Sequence, residues 1–201
     1  TFSEPAAVFI SEVFLETLPK KEVHSGLGEM AKHLLISDKN AIDKLDQLND
    51  SVKIEDIAKS VSVKINIVQK DFKESGIRKA LNYGHTFGHA VEGSLLQKGI
   101  VIAHGEAVLI GILMENQLSV QLGRMPASGQ KAIEQWVNLG FDLRPYIEKL
   151  EANEIIDLLQ FDKKNTSDSI SFSLVGPIGE CTVDVHPGID NIESSLSIFC
   201  N

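Results

Sequence analysis

The sequence predicts a mainly α fold: a multi-helix domain with one small β-hairpin near the C-terminus. Three observations carry this. Apolar residues recur at helical spacing over most of the chain. The run "HGEAVLIGILMENQLSVQLG" is apolar nearly all round in its first half, as a buried helix is. Only "SISFSLVG" and "ECTVDVH", joined by the turn-forming "PIG", alternate in the manner of paired strands.

The elements follow in order. "AAVFI", residues 6–10, has the length and apolar content of a short strand. "LPKKEVHSGLGEMAKHLLISD" reads as a helix, with Pro19 in its first turn and Val23, Leu27, Met30, Ala31 and Leu34 at helical spacing. Residues 38–48 predict a second helix. "IEDIAKSVSVKINIVQKDF" is a long amphipathic one, apolar at Ile54, Ile57, Ala58, Val61, Ile65 and Val68. Glu74, Ser75 and Gly76 break it. If a helix begins near Arg78, then Arg78, Asn82 and His85 (i, i+4, i+7) share one face, and His89 and Glu92 continue it. "ASGQKAIEQWVNLG" and "NEIIDLLQF" predict further helices, and "DNIESSLSIF" a last short one.

Composition limits the function classes. The chain has 201 residues, 43% hydrophobic and 23% charged, which suits a packed core rather than disorder. A net charge of −9 argues against a large phosphate-backbone interface, which needs concentrated Lys and Arg. Positive charge can still gather in one cleft, at Lys32, Lys64 and Arg78. Cys181 and Cys200 form no C-x-x-C pattern and no disulfide framework, as expected for a reducing cytoplasm. No window reaches the roughly 18 apolar residues of a membrane span, and no signal peptide is expected. The first residue is Thr1 rather than Met, as in a chain entered midway.

Chemistry concentrates in "LNYGHTFGHAVEG" and its neighbours. His85 and His89 lie one helical turn apart, with Glu92 near the same face. An ordinary polar helix surface explains such a pair as readily as a site does. Gly84 and Gly88 shift the balance, because glycine costs roughly 1 kcal/mol in a helix relative to alanine and so points to a close backbone approach. His104, at the start of the apolar helix, and Glu29 in "GLGEMAKH" are candidate partners. Two His and one carboxylate match the inventory of a catalytic zinc site, which keeps one position open. The plainer reading of Glu29 and Lys32 is a surface ion pair worth a few tenths of a kcal/mol. Arg78 and Asn82 add cationic and amide donors suited to an anionic, hydroxyl-rich ligand.

"ESGIRKALNYGHTFGHAVE", followed by "AHGEA" and preceded by "SGLGEMAKHLLISD", resembles the C-terminal domain of the 3-dehydroquinate synthase family, within the sugar-phosphate cyclases. The likeness runs from "AAVFISEVFLETLPKKE" to "DKKN" and the hairpin. It implies metal ligation, by zinc or cobalt, at Glu29, His85 and His104. It implies catalytic roles for His89, Lys32 and Glu74, and substrate contacts from Lys64, Arg78, Asn82 and one of Lys163 and Lys164. Two departures stand out. Gly28 replaces a usual alanine and is expected to loosen its helix, and the loop between His89 and His104 is longer than the family's.

The family's NAD-binding domain precedes this region, and no Gly-rich phosphate loop occurs in these 201 residues. Residues 1–201 therefore read as the helical metal- and substrate-binding domain, expected to be inactive in isolation. The resemblance implies conversion of 3-deoxy-D-arabino-heptulosonate 7-phosphate to 3-dehydroquinate and phosphate in the shikimate pathway, with NAD as hydride carrier. The expected partner is that small sugar phosphate, with no nucleic acid or membrane, and a homodimer is left open. Two alternatives remain: a cyclase of the aminocyclitol or valiolone type, and a non-catalytic metal-binding helical module.

Overall fold

The computed structural model describes residues 6–49, 51–161 and 169–200. A 3-10 helix (Glu12–Thr17) leads into α1 (Lys20–Ser37), α2 (Ala41–Leu45) and α3 (Ile54–Lys70). A second 3-10 helix (Ile77–Asn82) precedes α4 (His85–Gln97) and α5 (His104–Gln121). Then come α6 (Ala127–Gly140), α7 (Arg144–Ile147), α8 (Ala152–Phe161), β1 (Phe172–Val175), β2 (Cys181–Val185) and α9 (Ile189–Leu196).

α5 is the axis of the fold. Every residue from position 105 to 119 except Gln117 is buried, and the helix packs against α1, α4, α6, α9 and β1. Its all-round apolar sequence requires that arrangement, since no face of it can be left to water. Leu109, Ile110, Ile112, Met114 and Leu118 meet Phe87, Leu95, Ile133 and Phe172 in one core. α1 carries Glu29 at mid-length and α4 carries His85 at its start, each beside the point where its helix crosses α5, which positions the site.

The hairpin forms as predicted, antiparallel, pairing Phe172 with Val185, Leu174 with Thr182 and Val175 with Cys181. Its first strand does not alternate in burial. All four residues of β1 are buried, because Ser173 turns inward and donates its hydroxyl to the Lys79 carbonyl at 2.7 Å.

Three expectations are corrected and one helix is added. Residues 6–10 form no strand; the only described strands pair with each other, and without a ladder Val8 and Phe9 stay 71% and 95% exposed. The second helix shrinks from 38–48 to Ala41–Leu45, because Asp38 caps α1 in extended conformation and its carboxylate takes the Asn40 N–H at 2.8 Å. No single helix runs from Arg78 to His89. The 3-10 turn ends at Asn82, Gly84 takes φ +79°, and α4 begins anew at His85. α7 was not anticipated. Among the described residues no helix is long and apolar enough to cross a membrane.

Candidate metal centre

Glu29, His85 and His104 converge although 75 residues separate the first from the last. Close helix crossings cause this. At the crossing of α1 and α5, a Cβ on Gly28 would run into the Gly105 carbonyl, and the Gly105 N–H donates to Ser25 Oγ at 2.9 Å. The expectation that Gly28 loosens α1 is therefore reversed: the missing side chain seats α1 on α5 and brings Glu29 beside His104. At the crossing of α4 and α5, a Cβ on Gly88 would lie 3.2 Å from the Ala107 carbonyl, and one on Gly84 2.6 Å from Ile112. The longer loop before His104 is absorbed by a full-length α4, a turn at Gly99 (φ +72°) and an extended approach with Ile102 and Ala103 buried.

One ligand atom from each residue lies within 4.8 Å of the others. Glu29 Oε1 is 3.4 Å from His85 Nε2 and 3.5 Å from His104 Nε2. Ligand atoms about 2.1 Å from a tetrahedral ion lie about 3.4 Å apart, so the donor set fits a divalent metal of the zinc type. Each imidazole is also braced at its other nitrogen. His85 Nδ1 faces the Tyr83 carbonyl at 3.2 Å, and His104 Nδ1 faces Glu92 Oε2 at 3.5 Å. A carbonyl can only accept, so His85 donates from Nδ1 to Tyr83, and its Nε2 is aimed at Glu29, as a donor to that carboxylate or, with a metal between them, as a ligand.

Lys32 departs from the surface ion pair that the sequence allows. It is 3% exposed, with Nζ 2.6 Å from Glu29 Oε2. Burial pushes its ammonium below the usual lysine range, against the pull of Glu29. Burial also works against the charge on Glu29, but the His85 hydrogen bond and Lys32 outweigh it and hold the carboxyl well below its usual range. Glu29 thus stays ionised, one oxygen on Lys32 and the other toward the two histidines. His89 lies on the exposed side of α4, its ring 5.4 Å from that of His85 and 6.0 Å from that of His104.

Glu74, Arg78 and Asn82 form a second cluster. Asn82 donates to Glu74 Oε1 at 3.1 Å, and Arg78 Nε lies 3.8 Å from Glu74 Oε2. Glu74 sits at φ +58° in a loop gathered by Asp71, whose carboxylate takes the N–H groups of Ser75, Gly76 and Arg78 at 3.0, 2.7 and 3.1 Å. Lys64 is exposed on α3, and its charge is felt at both Lys32 and His33. Lys163 and Lys164 lie outside the described residues. The bracing roles of Tyr83, Glu92 and Asp71 escape the sequence reading; only Glu92, near the histidine face, left a signal there.

Residues 26–165 match the family model for the 3-dehydroquinate synthase C-terminal region. The chain is 37% identical over 188 residues to 3-dehydroquinate synthase of Helicobacter pylori (strain P12), covering 92% of this chain and 54% of that protein. It is 39% identical over 187 residues to the 3-dehydroquinate synthase of Campylobacter concisus (strain 13826), covering 91% and 53%. The chain thus spans about half the length of the curated relatives it matches. Two solved structures share its fold. One is 2-deoxy-scyllo-inosose synthase complexed with carbaglucose-6-phosphate, NAD+ and Co2+ (TM-score 0.74, 23% identity, 91% of this chain and 53% of that one). The other is 2-epi-5-epi-valiolone synthase from Streptomyces hygroscopicus subsp. jinggangensis 5008 with NAD+ and Zn2+ bound (TM-score 0.77, 20% identity, 94% and 54%). With more than half of its residues matching the family model, this chain belongs to the 3-dehydroquinate synthase C-terminal family.

Proposed function

We propose that this chain is the metal- and substrate-binding half of a 3-dehydroquinate synthase, acting with an NAD-binding half in the cytoplasm. One observation carries the reading. Both histidines direct Nε2 at a single oxygen of an ionised glutamate while their Nδ1 atoms face oxygen acceptors. A polar helix surface has no reason to orient two rings in this way.

Bound at Glu29, His85 and His104, a divalent metal would polarise a substrate oxygen and lower the pKa of a hydroxyl beside it, while NAD would carry hydride. The chain's own residues do the rest. His89, exposed beside the two histidines, is given the proton transfer, a task suited to an imidazole. Lys32 holds Glu29 in its charged form. Arg78 and Lys64 supply positive charge for phosphate and carboxylate, and Lys163 or Lys164 is assigned to the substrate's acidic end. Glu74 orients Arg78 and Asn82. The overall change, 3-deoxy-D-arabino-heptulosonate 7-phosphate to 3-dehydroquinate and inorganic phosphate, needs no net oxidant, so NAD is regenerated within each turnover.

The solved structures of the same fold favour a second reading, a cyclase acting on a sugar phosphate without a carboxylate; the curated relatives favour the first. Phosphate release decides. The full-length protein, with NAD and Co2+, is offered 3-deoxy-D-arabino-heptulosonate 7-phosphate, a hexose 6-phosphate and a heptulose 7-phosphate lacking the carboxylate. Release from the first alone is expected; release from either of the others in its place overturns the reading.

A further inference from the structure

A buried polar cluster on α5 lies outside the residues assigned above. Glu115 and Asn116 are 0% exposed in a helix whose inward residues are otherwise largely apolar. A carboxylate withdrawn from water is costly without donors around it, and a well-packed apolar residue would fill the space without that cost. Glu115 stands at the start of α4. Its Oε2 takes the Gly84 N–H at 2.7 Å, one of the amides that the first turn of a helix leaves unpaired. Burial drives its carboxyl up to about 8, while the amides of Gly84, Phe87 and Thr86 pull the other way. The next residue, Asn116, accepts the Tyr83 hydroxyl on its Oδ1. Gly111, one turn before Glu115 on the same face, has no side chain, so the Gly84 carbonyl lies against the α5 backbone. α5 therefore grips both residues that precede His85, and the first of them supplies the carbonyl that faces His85 Nδ1.

We propose that Glu115 is a positioning residue for His85: by holding the Gly84 amide, with Asn116 on the Tyr83 hydroxyl, it keeps the Tyr83 carbonyl under the ring, the proton on Nδ1 and Nε2 turned toward Glu29. α5 then sets two of the three ligands, carrying His104 in its first turn and bracing His85 from its fourth. Only the consequence for metal affinity rests on the metal-centre reading; the effect on the ring does not.

The metal-free chain reports the ring directly. Long-range 15N–1H correlation shows whether Nδ1 of His85 bears a proton, and Nδ1–H is expected, whether or not Nε2 also donates to Glu29. Glu115→Gln keeps an oxygen acceptor at the same reach, Glu115→Asp withdraws it by one methylene, and Glu115→Leu removes it. The Gln variant should retain Nδ1–H and bind Co2+ within a few-fold of the parent. The Leu and Asp variants should show a tautomer mixture at His85, an unchanged His104, and Co2+ binding weakened about 10-fold or more, as loss of an outer-shell partner does. Circular dichroism and amide dispersion check the fold, and the Asp variant decides if the Leu variant does not fold. A folded Leu or Asp variant that keeps both the Nδ1 proton and the Co2+ affinity overturns the proposal, as does an unprotonated Nδ1 at His85 in the parent. Failure of the parent to bind Co2+ strikes the metal reading alone, and the tautomer comparison still judges Glu115.

Discussion

Gly28 of α1 and Gly105 of α5 touch backbone to backbone. A Cβ on Gly28 would meet the Gly105 carbonyl, and one on Gly105 would meet the Ser25 carbonyl. Each glycine is the chain neighbour of a ligand candidate, Glu29 and His104, so the contact fixes the separation of those two side chains. Gly105→Ala should force the helices apart, costing about 1–3 kcal/mol as overpacking does. Urea unfolding should show a lower midpoint at unchanged slope, and calorimetric titration with Zn2+ should show weakened binding. Unchanged metal affinity in the variant would mean that the crossing does not set the ligand spacing.

His85 and His89 share α4 but are given different work. His85→Ala should leave a folded chain without bound metal. In the full-length protein, His89→Ala should keep the metal and lose about 10²–10⁴-fold in turnover, the usual contribution of general acid–base catalysis. Metal content measured beside turnover separates the two. Equal metal loss in both variants would make His89 a ligand or a support for one.

Asp71 gathers the amides of Ser75, Gly76 and Arg78 and so shapes the loop that presents Glu74. Asp71→Ala should misplace Glu74, Arg78 and Asn82 together while Glu29, His85 and His104 stay in register. The expected signature is turnover lowered by about 10²-fold, as for an ångström-scale misplacement of binding groups, with metal content unchanged. Parallel loss of metal would show that the two clusters are not independent.

His33 sets an acid limit on stability. It is 7% exposed and its Nδ1 meets Ser60 Oγ at 2.7 Å. Burial, then the Lys32 charge, pushes its imidazole down to about 4; Lys64 and His85 add to this, and Glu29 opposes it. From an unfolded value near 6.5, the unfolded chain binds the extra proton between about pH 6.5 and 4, so His33 withdraws stability as pH falls through that window, by about 3 kcal/mol in all. Glu115 acts with the opposite sign: raised to about 8, it favours the fold at low pH and loses that contribution as pH rises from about 4.5 to 8. Comparison with His33→Gln isolates the histidine. Between pH 7 and 4 the parent should lose more urea stability than the variant; equal losses would mean that His33 is protonated in the fold.

The helical class, the hairpin and the burial of α5 were legible in the sequence because they follow from local periodicity, which one-dimensional spacing records. That Glu29, His85 and His104 converge was legible only through the family resemblance their motifs carry, not from their spacing. Tertiary packing decided the rest. Glycines at 28, 84, 88, 105 and 111 allow backbones to touch, and a sequence does not say which backbone each glycine meets. Lys32 looked like a surface lysine until α1 settled on α5 and buried it at 3% exposure. Residues 6–10 carry a strand's composition, yet a strand exists only where a partner offers its hydrogen bonds, and the described hairpin offers them none. Glu115, in the sequence only a polar break in an apolar run, and Tyr83 were given no role there, because the direction in which a histidine ring points depends on a carbonyl and an amide that only the crossing of α4 and α5 brings into place.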